Sequence, residues 1–475
     1  MSFTHKQATS LLSDSSPSSR SIFAKAGVCR SRYLHVLNVC ILLFATWRLS
    51  VALRSFVYPS LLSTDNATPF AHLASHCTNV TPIPTSEYHQ RQKKLAETLH
   101  ALNASAYIAE PGASALYYAN ISHTSWHLSE RPLLLIISPE ATEDADGLIS
   151  VQPRILILTP SFEATRAKLL PIPITNASYP EWQEYQSPYQ TAIGALDLPS
   201  LTFGDKIFVD GAVRHFIVDG LQHAAPAGTR VQSAPVEVRQ LRERKSAKEL
   251  EIMKCANEVT VLAIRAVREK LVVGSRESEG RELVRDALTA AGLQDLSLIV
   301  LFGENAALPH GSGTDRALGA DDFVLIDCGG SLHGYQSDVT RTFALPRSSP
   351  DPEYVFLWIT VHTAQEHALR AARAGALTRT VDKAARDVIA ETGTAQYFTH
   401  RLGHGIGLEV HESPYLVGGS DDVIQTGHTF SDEPGIYIEG TVGVRLEDCF
   451  YIDEDENGVF LTAGVGGQAA SPWAP

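Results

Sequence analysis

From Ser86 onward, short apolar runs alternate with amphipathic stretches, the pattern of a chain that packs strands against helices. "EYHQRQKKLAETLHAL" carries helical spacing, while "AYIAE", "ALYYA", "PLLLIIS" and "RILILT" read as short buried strands bounded by turn residues. The Pro-rich stretch 171–188 predicts a surface loop, and the alternation predicts an α/β unit ending near Val238. A different unit opens next. Ile252, Ala256, Val259, Ala263 and Ala266 recur at steps of four and three, giving one apolar face on a charged helix that stops before Gly274. "ESEGRELVRDALTAAG" repeats the pattern, with Gly292 as its C-cap. Strands are predicted at "LSLIVLFG", "FVLIDCGG", "VTRTFAL", "GHTFSDEPGIYIEG" and "VGVRLEDCFYID", and helices at 352–375 and 380–392.

Residues 1–85 follow neither pattern. The Ser-rich, basic tail 1–32 reads as disordered. Residues 33–54 contain "YLHVLNVCILLFATW" behind Lys25, Arg30 and Arg32, and read as a signal anchor, with a cleaved signal peptide and a buried core helix as the alternatives. Residues 55–85, rich in Ser, Thr, Pro and Asn, read as a stalk. Five of the nine Asn begin N-x-S/T sequons: Asn66, Asn79, Asn103, Asn120 and Asn176. Together these features predict a single-pass membrane or secretory glycoprotein whose body is lumenal or extracellular.

At 475 residues the chain has room for two or three domains, and its 44% apolar and 19% charged content is ordinary for a globular protein. A net charge of -14 excludes a general nucleic-acid binder, which needs a basic footprint. The six Cys show no C-x-x-C pair and no zinc-ribbon spacing, and a disulfide among Cys77, Cys255, Cys328 and Cys449 stays open.

Common catalytic signatures are missing: no H-E-x-x-H, no G-x-S-x-G, no phosphate-binding loop and no Rossmann glycine fingerprint. "HTAQEH" (His362, Glu366, His367) reads as a solvated helix face. What remains is a set of acids and one histidine at strand edges. Asp327 and Asp338 lie in "LIDCGGSLHGYQSDVTRTF", His404 in "RLGHGIGLEVHESP" between two glycines, Glu433 in "SDEPGIY" and Glu447 in "VGVRLED". A carboxylate facing inward on a sheet is costly unless paired or metal-bound. Four carboxylates and one His form a hard, oxygen-rich donor set suited to two divalent ions. Gly329 and Gly330 are expected to turn the hairpin that carries Asp327 and Asp338 toward the same ions.

This ordered series resembles the metallopeptidase family of methionine aminopeptidase, aminopeptidase P and prolidase, in its proline-specific branch, over residues 245–460. The resemblance implies an α/β (α+β) chain with a smaller creatinase-type N-terminal domain over 86–240 and a pita-bread catalytic domain over 241–465. It implies that Asp327 holds one metal and His404 and Glu433 the other, with Asp338 and Glu447 bridging both. The ions would be Mn2+, with Co2+ or Zn2+ as alternatives. His310 in "ALPHGSG" matches a family histidine near the scissile bond, His411 in "VHESP" a second histidine of the proline-specific branch, and Arg445 a residue that braces the metal carboxylates. Ser431 stands where the family often has Thr, a departure that keeps the hydroxyl. The implied reaction is cleavage of Xaa-Pro bonds in dipeptides or short peptides by a metal-bridging hydroxide. Glu433 would shuttle the proton, and His310 and His411 would hydrogen-bond the tetrahedral oxyanion. A creatinase-like amidinohydrolase and a non-catalytic binding protein on the same fold are the competing readings, both disfavoured by retention of all five ligands. Dipeptidase and aminopeptidase modes stay open, with a two-domain body leaning toward the former. The implied partners are short proline-containing peptides, the membrane through the N-terminal segment, and a second copy, since dimers are common in that branch.

Overall fold

Pro84, extended and lacking an N–H, opens the first long helix, α1 (Thr85–Ala101), which buries Leu95, Ala96 and Leu99 along one face. The computed structural model describes residues 69–143, 145–173, 176–196, 206–311 and 313–475, all within one compact unit that runs from Thr68 to Pro475. After α1 come β1 (Ala104–Ala109), α2 (Ala113–Ala119), β2 (Leu134–Glu143), β3 (Ile149–Pro160), α3 (Ala164–Lys168), β4 (Glu181–Trp182), α4 (Pro188–Ala195), β5 (Lys206–Val209), α5 (His215–Ala224) and β6 (Arg230–Ser233). The strands form one mixed sheet in the order β4-β3-β2-β1-β5-β6. Both faces are covered. Ile108, Ile136 and Leu158 pack under Ile193 of α4 and Leu221 of α5, while Tyr107, Leu135 and Ile157 join a core with Leu95 and Leu99 of α1. Burial on both faces explains why these strands read as continuous apolar runs and not as alternating ones.

"ALYYA", expected as a strand, is the C-terminal part of α2, which ends at Asn120 in the left-handed conformation (φ 56°). A five-residue apolar run carries no usable period, and Ala and Leu favour helix once tertiary packing permits it.

The second half contains α6 (Val236–Glu243), α7 (Ala247–Arg268), α8 (Glu277–Ala290), β7 (Gln294–Phe302), β8 (Val324–Leu332), β9 (Tyr335–Gln336), β10 (Val339–Phe343), α9 (Pro352–Ala371) and α10 (Thr378–Glu391). These are followed by β11 (Gly403–Gly405), β12 (Glu412–Leu416), β13 (Thr429–Asp432), β14 (Gly435–Ile438), β15 (Val442–Arg445), β16 (Asp448–Ile452) and β17 (Gly458–Phe460). A helix is interrupted before α7 because Ser246 caps it, its hydroxyl accepting from the Glu249 N–H while Glu249 reaches back to the Ser246 N–H. β10-β8-β7 form one sheet, with β9 on β8, packed against α7 and α8 through Ile252, Val259, Val284 and Ile326. β12-β11-β13-β16-β17 form a second sheet, packed with α9 and α10 through Trp358, Val361, Ile389 and Phe430. β14 and β15 pair as a separate ribbon. The architecture is the mixed α/β one expected, with sheets enclosed by helices.

The hairpin differs from expectation in one respect. β8 runs straight through Gly329 and Gly330, and the turn is made by His333 and Gly334, both at positive φ (50° and 88°). Gly329 serves a close approach instead, since a Cβ there would sit 1.9 Å from the Ser337 carbonyl oxygen.

The N-terminal expectations need correction. Residues 69–84, expected as the end of a stalk, pack onto the body: Phe70 and Leu73 are buried, and Cys77 is disulfide-bonded to Cys255 in α7. Their apolar residues are too sparse to form a pattern, and only the surface of α7 and α8 gives them a partner. The tail 1–32 and the anchor 33–54 lie outside the described residues. Among the described residues no helix is long and apolar enough to cross a membrane, so the membrane partner, the single-pass or secretory location and the glycoprotein reading built on them are withdrawn. Two of the sequon asparagines have another role in the chain. Asn103 and Asn120 occupy positive-φ turns, and the Asn120 amide donates to the Pro171 carbonyl while its oxygen accepts from Tyr88.

Gly329→Ala is expected to destabilise the folded chain by about 1–3 kcal/mol, the usual cost of overpacking. A lowered thermal midpoint would register this; an unchanged one would contradict the close Gly329–Ser337 contact.

Candidate metal centre

Asp327 lies in the middle of β8, paired across the ladder with Thr340 of β10, and Asp338 immediately precedes β10. Asp338 is fixed through its main chain, its N–H donating to Asn257 Oδ1 of α7 (3.3 Å) and its carbonyl accepting from the Cys449 thiol (3.2 Å). His404 sits in β11, where a Cβ on Gly403 would lie 2.0 Å from the Ser431 carbonyl oxygen and one on Gly405 2.5 Å from that of Glu412. Neither neighbour admits a side chain, so the imidazole is carried deep between β12 and β13.

Glu433 and Glu447 are delivered by one device. The predicted strands "GHTFSDEPGIYIEG" and "VGVRLEDCFYID" each break, the first at Glu433-Pro434 and the second at Leu446-Glu447. Asp432 pairs with Asp448 in the larger sheet, and Gly435 pairs with Arg445 in the β14–β15 ribbon. Both glutamates occupy the level where two neighbouring strands leave one sheet for another, and there their side chains are free to leave the pleat.

The structure brings these residues together. Asp338, His404 and Glu447 each offer a ligand atom, and the three atoms lie within 4.8 Å of one another. His404 Nε2 is 3.3 Å from Glu433 Oε1 and 3.7 Å from Asp338 Oδ2. Its Nδ1 is 3.1 Å from the Gly405 carbonyl, which fixes the proton there and leaves the Nε2 lone pair facing the carboxylates. Arg445 closes the cluster: Nη2 donates to Asp327 Oδ2 (2.6 Å), Nε to Thr340 Oγ1 (3.1 Å) and Nη1 to the Tyr437 hydroxyl (2.9 Å). Thr340 Oγ1 in turn donates to Glu447 Oε2 at 2.6 Å. Ser431 accepts from the His404 N–H (3.1 Å) and donates to Glu433 Oε1 (3.2 Å), the role its retained hydroxyl allows.

Electrostatics reflects the crowding. Burial, reinforced by the charges of Asp327 and Glu433, pushes the Asp338 carboxyl up to about 8. Burial and then the charge of Asp338 push Glu447 well above the carboxylate range. Burial also opposes ionisation of Glu433, but the hydrogen bond and charge of His404 outweigh it and hold that carboxyl below its ordinary value. The reciprocal effect raises His404 in spite of its burial. Four inward carboxylates with one bare imidazole nitrogen form a set whose mutual repulsion a divalent cation relieves, and the donors are of the hard type that Mn2+, Co2+ or Zn2+ accepts. The residues present fit such a group.

His411 meets His404 edge to face with ring centroids 4.3 Å apart. His310 is exposed, and it follows Pro309, whose carbonyl accepts from Arg445 at 3.4 Å. Thr340, Tyr437, His400 and Asn257 were not singled out from the sequence. Thr340 carried a legible signal, since strand alternation in "VTRTF" puts it on the face opposite Arg341. His400, whose Nε2 accepts from the Tyr437 hydroxyl (2.9 Å), comes from a segment without a period and had none.

Thr340→Val removes the hydroxyl that orients Glu447 and is expected to weaken divalent-metal binding by roughly 10- to 100-fold, measured by metal titration of the apoprotein. A second outcome concerns pH. Because Asp338 must lose its proton to bind a cation, metal affinity rises with pH up to about 8 and levels off above it. The metal-free protein has the opposite slope. Its Asp338 keeps a proton that the unfolded chain releases near pH ~4, so its stability falls as pH climbs from there toward about 8. Thermal melts with and without metal across that window separate the two effects.

Comparison with known proteins supplies the family. The model for "Metallopeptidase family M24" matches residues 251–454. An uncharacterised peptidase of Schizosaccharomyces pombe is 41% identical over 374 residues, covering 77% of this chain and 80% of that protein. The Xaa-Pro dipeptidase of Pyrococcus furiosus is 36% identical over 220 residues, 46% of this chain and 63% of the relative. The crystal structure of dipeptidase PepE from Mycobacterium ulcerans superposes with a TM-score of 0.70 at 30% identity, over 80% of this chain and 97% of that one. With a relative this similar along most of both chains, and with the family's pita-bread architecture preceded by an N-terminal domain, the protein belongs to metallopeptidase family M24 and is a peptidase.

Proposed function

We propose that this metallopeptidase hydrolyses Xaa-Pro bonds of dipeptides or short peptides at a dinuclear centre held by Asp327, Asp338, His404, Glu433 and Glu447. One observation carries the reading: these five residues converge in a buried cluster braced by Arg445 and Thr340, an arrangement costly to maintain without cations. The names of similar proteins, an Xaa-Pro dipeptidase and a dipeptidase, support the substrate class. The division near residue 240 into a smaller N-terminal unit and a catalytic unit belongs to the same proposal.

The chemistry supplied by two divalent ions at this site is Lewis acidity at the scissile carbonyl and a lowered pKa for the attacking water. The remaining steps belong to the protein. Asp327 holds one ion, His404 and Glu433 the other, and Asp338 and Glu447 both. Glu433, kept ionised by His404, takes the proton of the attacking water and returns it to the leaving amine as the C–N bond breaks. Burial, followed by the charges of His404 and Arg401, holds His411 below the usual imidazole value, so it acts as a neutral donor to the developing oxyanion. His310 approaches from the exposed edge, and Arg445 keeps Asp327 aimed.

Treatment of the full chain with a chelator is expected to abolish hydrolysis of Xaa-Pro dipeptides, and Mn2+ to restore it with two ions bound per chain by metal analysis. Activity persisting in metal-free protein would refute the mechanism, and equal turnover of Xaa-Pro and Xaa-Leu dipeptides would refute the specificity. Glu433→Gln is expected to lower kcat by roughly 10²–10⁴-fold.

A further inference from the structure

A cavity of about 300 Å³ lies where the two halves of the chain meet, and Asp210, Arg239, Arg242, Glu409, His411 and Ser413 supply its polar lining. His411 is its link to the metal centre, since the same ring touches His404.

Most of the charge on these walls is already committed. Asp210 accepts from the Tyr107 hydroxyl (2.8 Å), the Ser114 hydroxyl (2.6 Å) and the Ala212 N–H (2.9 Å). Arg242 is ion-paired with Glu409 and lies 3.4 Å from Glu412, which also binds Lys245 at 2.6 Å. Arg239 differs. Its guanidinium makes one hydrogen bond, to Ser413 Oγ at 3.1 Å, and has no carboxylate within 4.0 Å among the described residues. A guanidinium has five donors in a planar fork, so an exposed pair suited to a carboxylate remains.

We infer that Arg239 binds the free α-carboxylate of the substrate and that the cavity receives the residue on the C-terminal side of the scissile bond. The spacing agrees. Ser413 is two residues beyond His411, about 7 Å along an extended chain. A dipeptide carboxylate lies one residue past the scissile carbonyl, about 4 Å, and a charge-assisted hydrogen bond adds about 3 Å. Arg401, stacked over the Tyr415 ring at 4.7 Å on the same strand edge and also without an ion pair, adds positive potential for an anion. The substrate class that follows is a dipeptide with an unblocked C-terminus. An amidated or extended peptide places no charge against Arg239.

This assignment rests on the peptidase reading above, and the test separates the two. Wild type and Arg239→Ala, both metal-loaded and matched in metal content and thermal midpoint, are compared on Ala-Pro, Ala-Leu and their C-terminal amides. The variant is expected to lose roughly 10- to 100-fold in kcat/KM on the free acids, mainly through KM, and to match wild type on the amides. Arg239→Lys is expected to recover part of the loss. Equal losses on acids and amides, or no loss on either, would overturn the role of Arg239. A preference of wild type for Ala-Leu would overturn the Xaa-Pro reading while Arg239 remains tested on that pair. Calorimetric binding of Ala-Pro and its amide to Glu433→Gln, with and without Arg239→Ala, decides the matter even where no turnover is measurable. There too, the expected result is a loss confined to the free acid, and binding that ignores Arg239 would overturn the inference.

Discussion

Four carboxylates in one buried volume repel one another, and the catalytic half of this chain is arranged around that constraint. Donors and positive charge are brought to them from three sides: Arg445 to Asp327, Thr340 to Glu447, and His404 to Glu433. The opposite face of the same strands holds a second charge pair. Arg341 and Asp448, both fully buried, meet at 2.8 Å, and Arg341 also donates to the Glu447 and Gly467 carbonyls. Removing either partner would leave a buried charge unpaired, so this pair fixes the register of β10 against β16. That register sets Thr340 beside Glu447.

The acids reach the cluster because the backbone departs from regular sheet where they occur. The break between β13 and β14 stands beside the break between β15 and β16, and one glutamate emerges from each. Close backbone approaches keep these breaks narrow. A Cβ on Gly443 would lie 1.8 Å from the Ala306 carbonyl oxygen, which holds β15 against the segment leading to Pro309 and His310. Arg445, at the end of β15, thereby reaches both the Pro309 carbonyl and Asp327.

The first half of the chain is coupled to the same hairpin. Arg91 of α1, nearly buried, contacts Glu87, Glu249 and the Tyr335 hydroxyl, and Tyr335 lies in the short β9 between Asp327 and Asp338. Glu249 is also the residue that caps α7, and α7 supplies Asn257 to the Asp338 main chain. The N-terminal sheet therefore contributes a cavity wall and a brace for the metal-ligand hairpin, one bearing on substrate choice and the other on ligand geometry.

The five candidate ligands and the mixed α/β layout were legible because both depend on local order. Inward acids at strand edges are rare enough to be conspicuous, and amphipathic helices such as α7 declare themselves by spacing. "ALYYA" was misread because five apolar residues carry no period. The turn was placed at Gly329 and Gly330 because glycine marks both turns and close approaches, and only the position of Ser337 distinguishes them. Residues 69–84 looked like a stalk because Phe70, Leu73 and Cys77 are too widely spaced to signal a face. The sequence by itself determined which side chains could hold cations and which segments form helices. The tertiary structure alone decided where two strands change sheets, which arginines are spent on internal carboxylates, and which one is left facing the cavity. Those outcomes depend on residues a hundred or more positions apart, and no local pattern encodes such pairings.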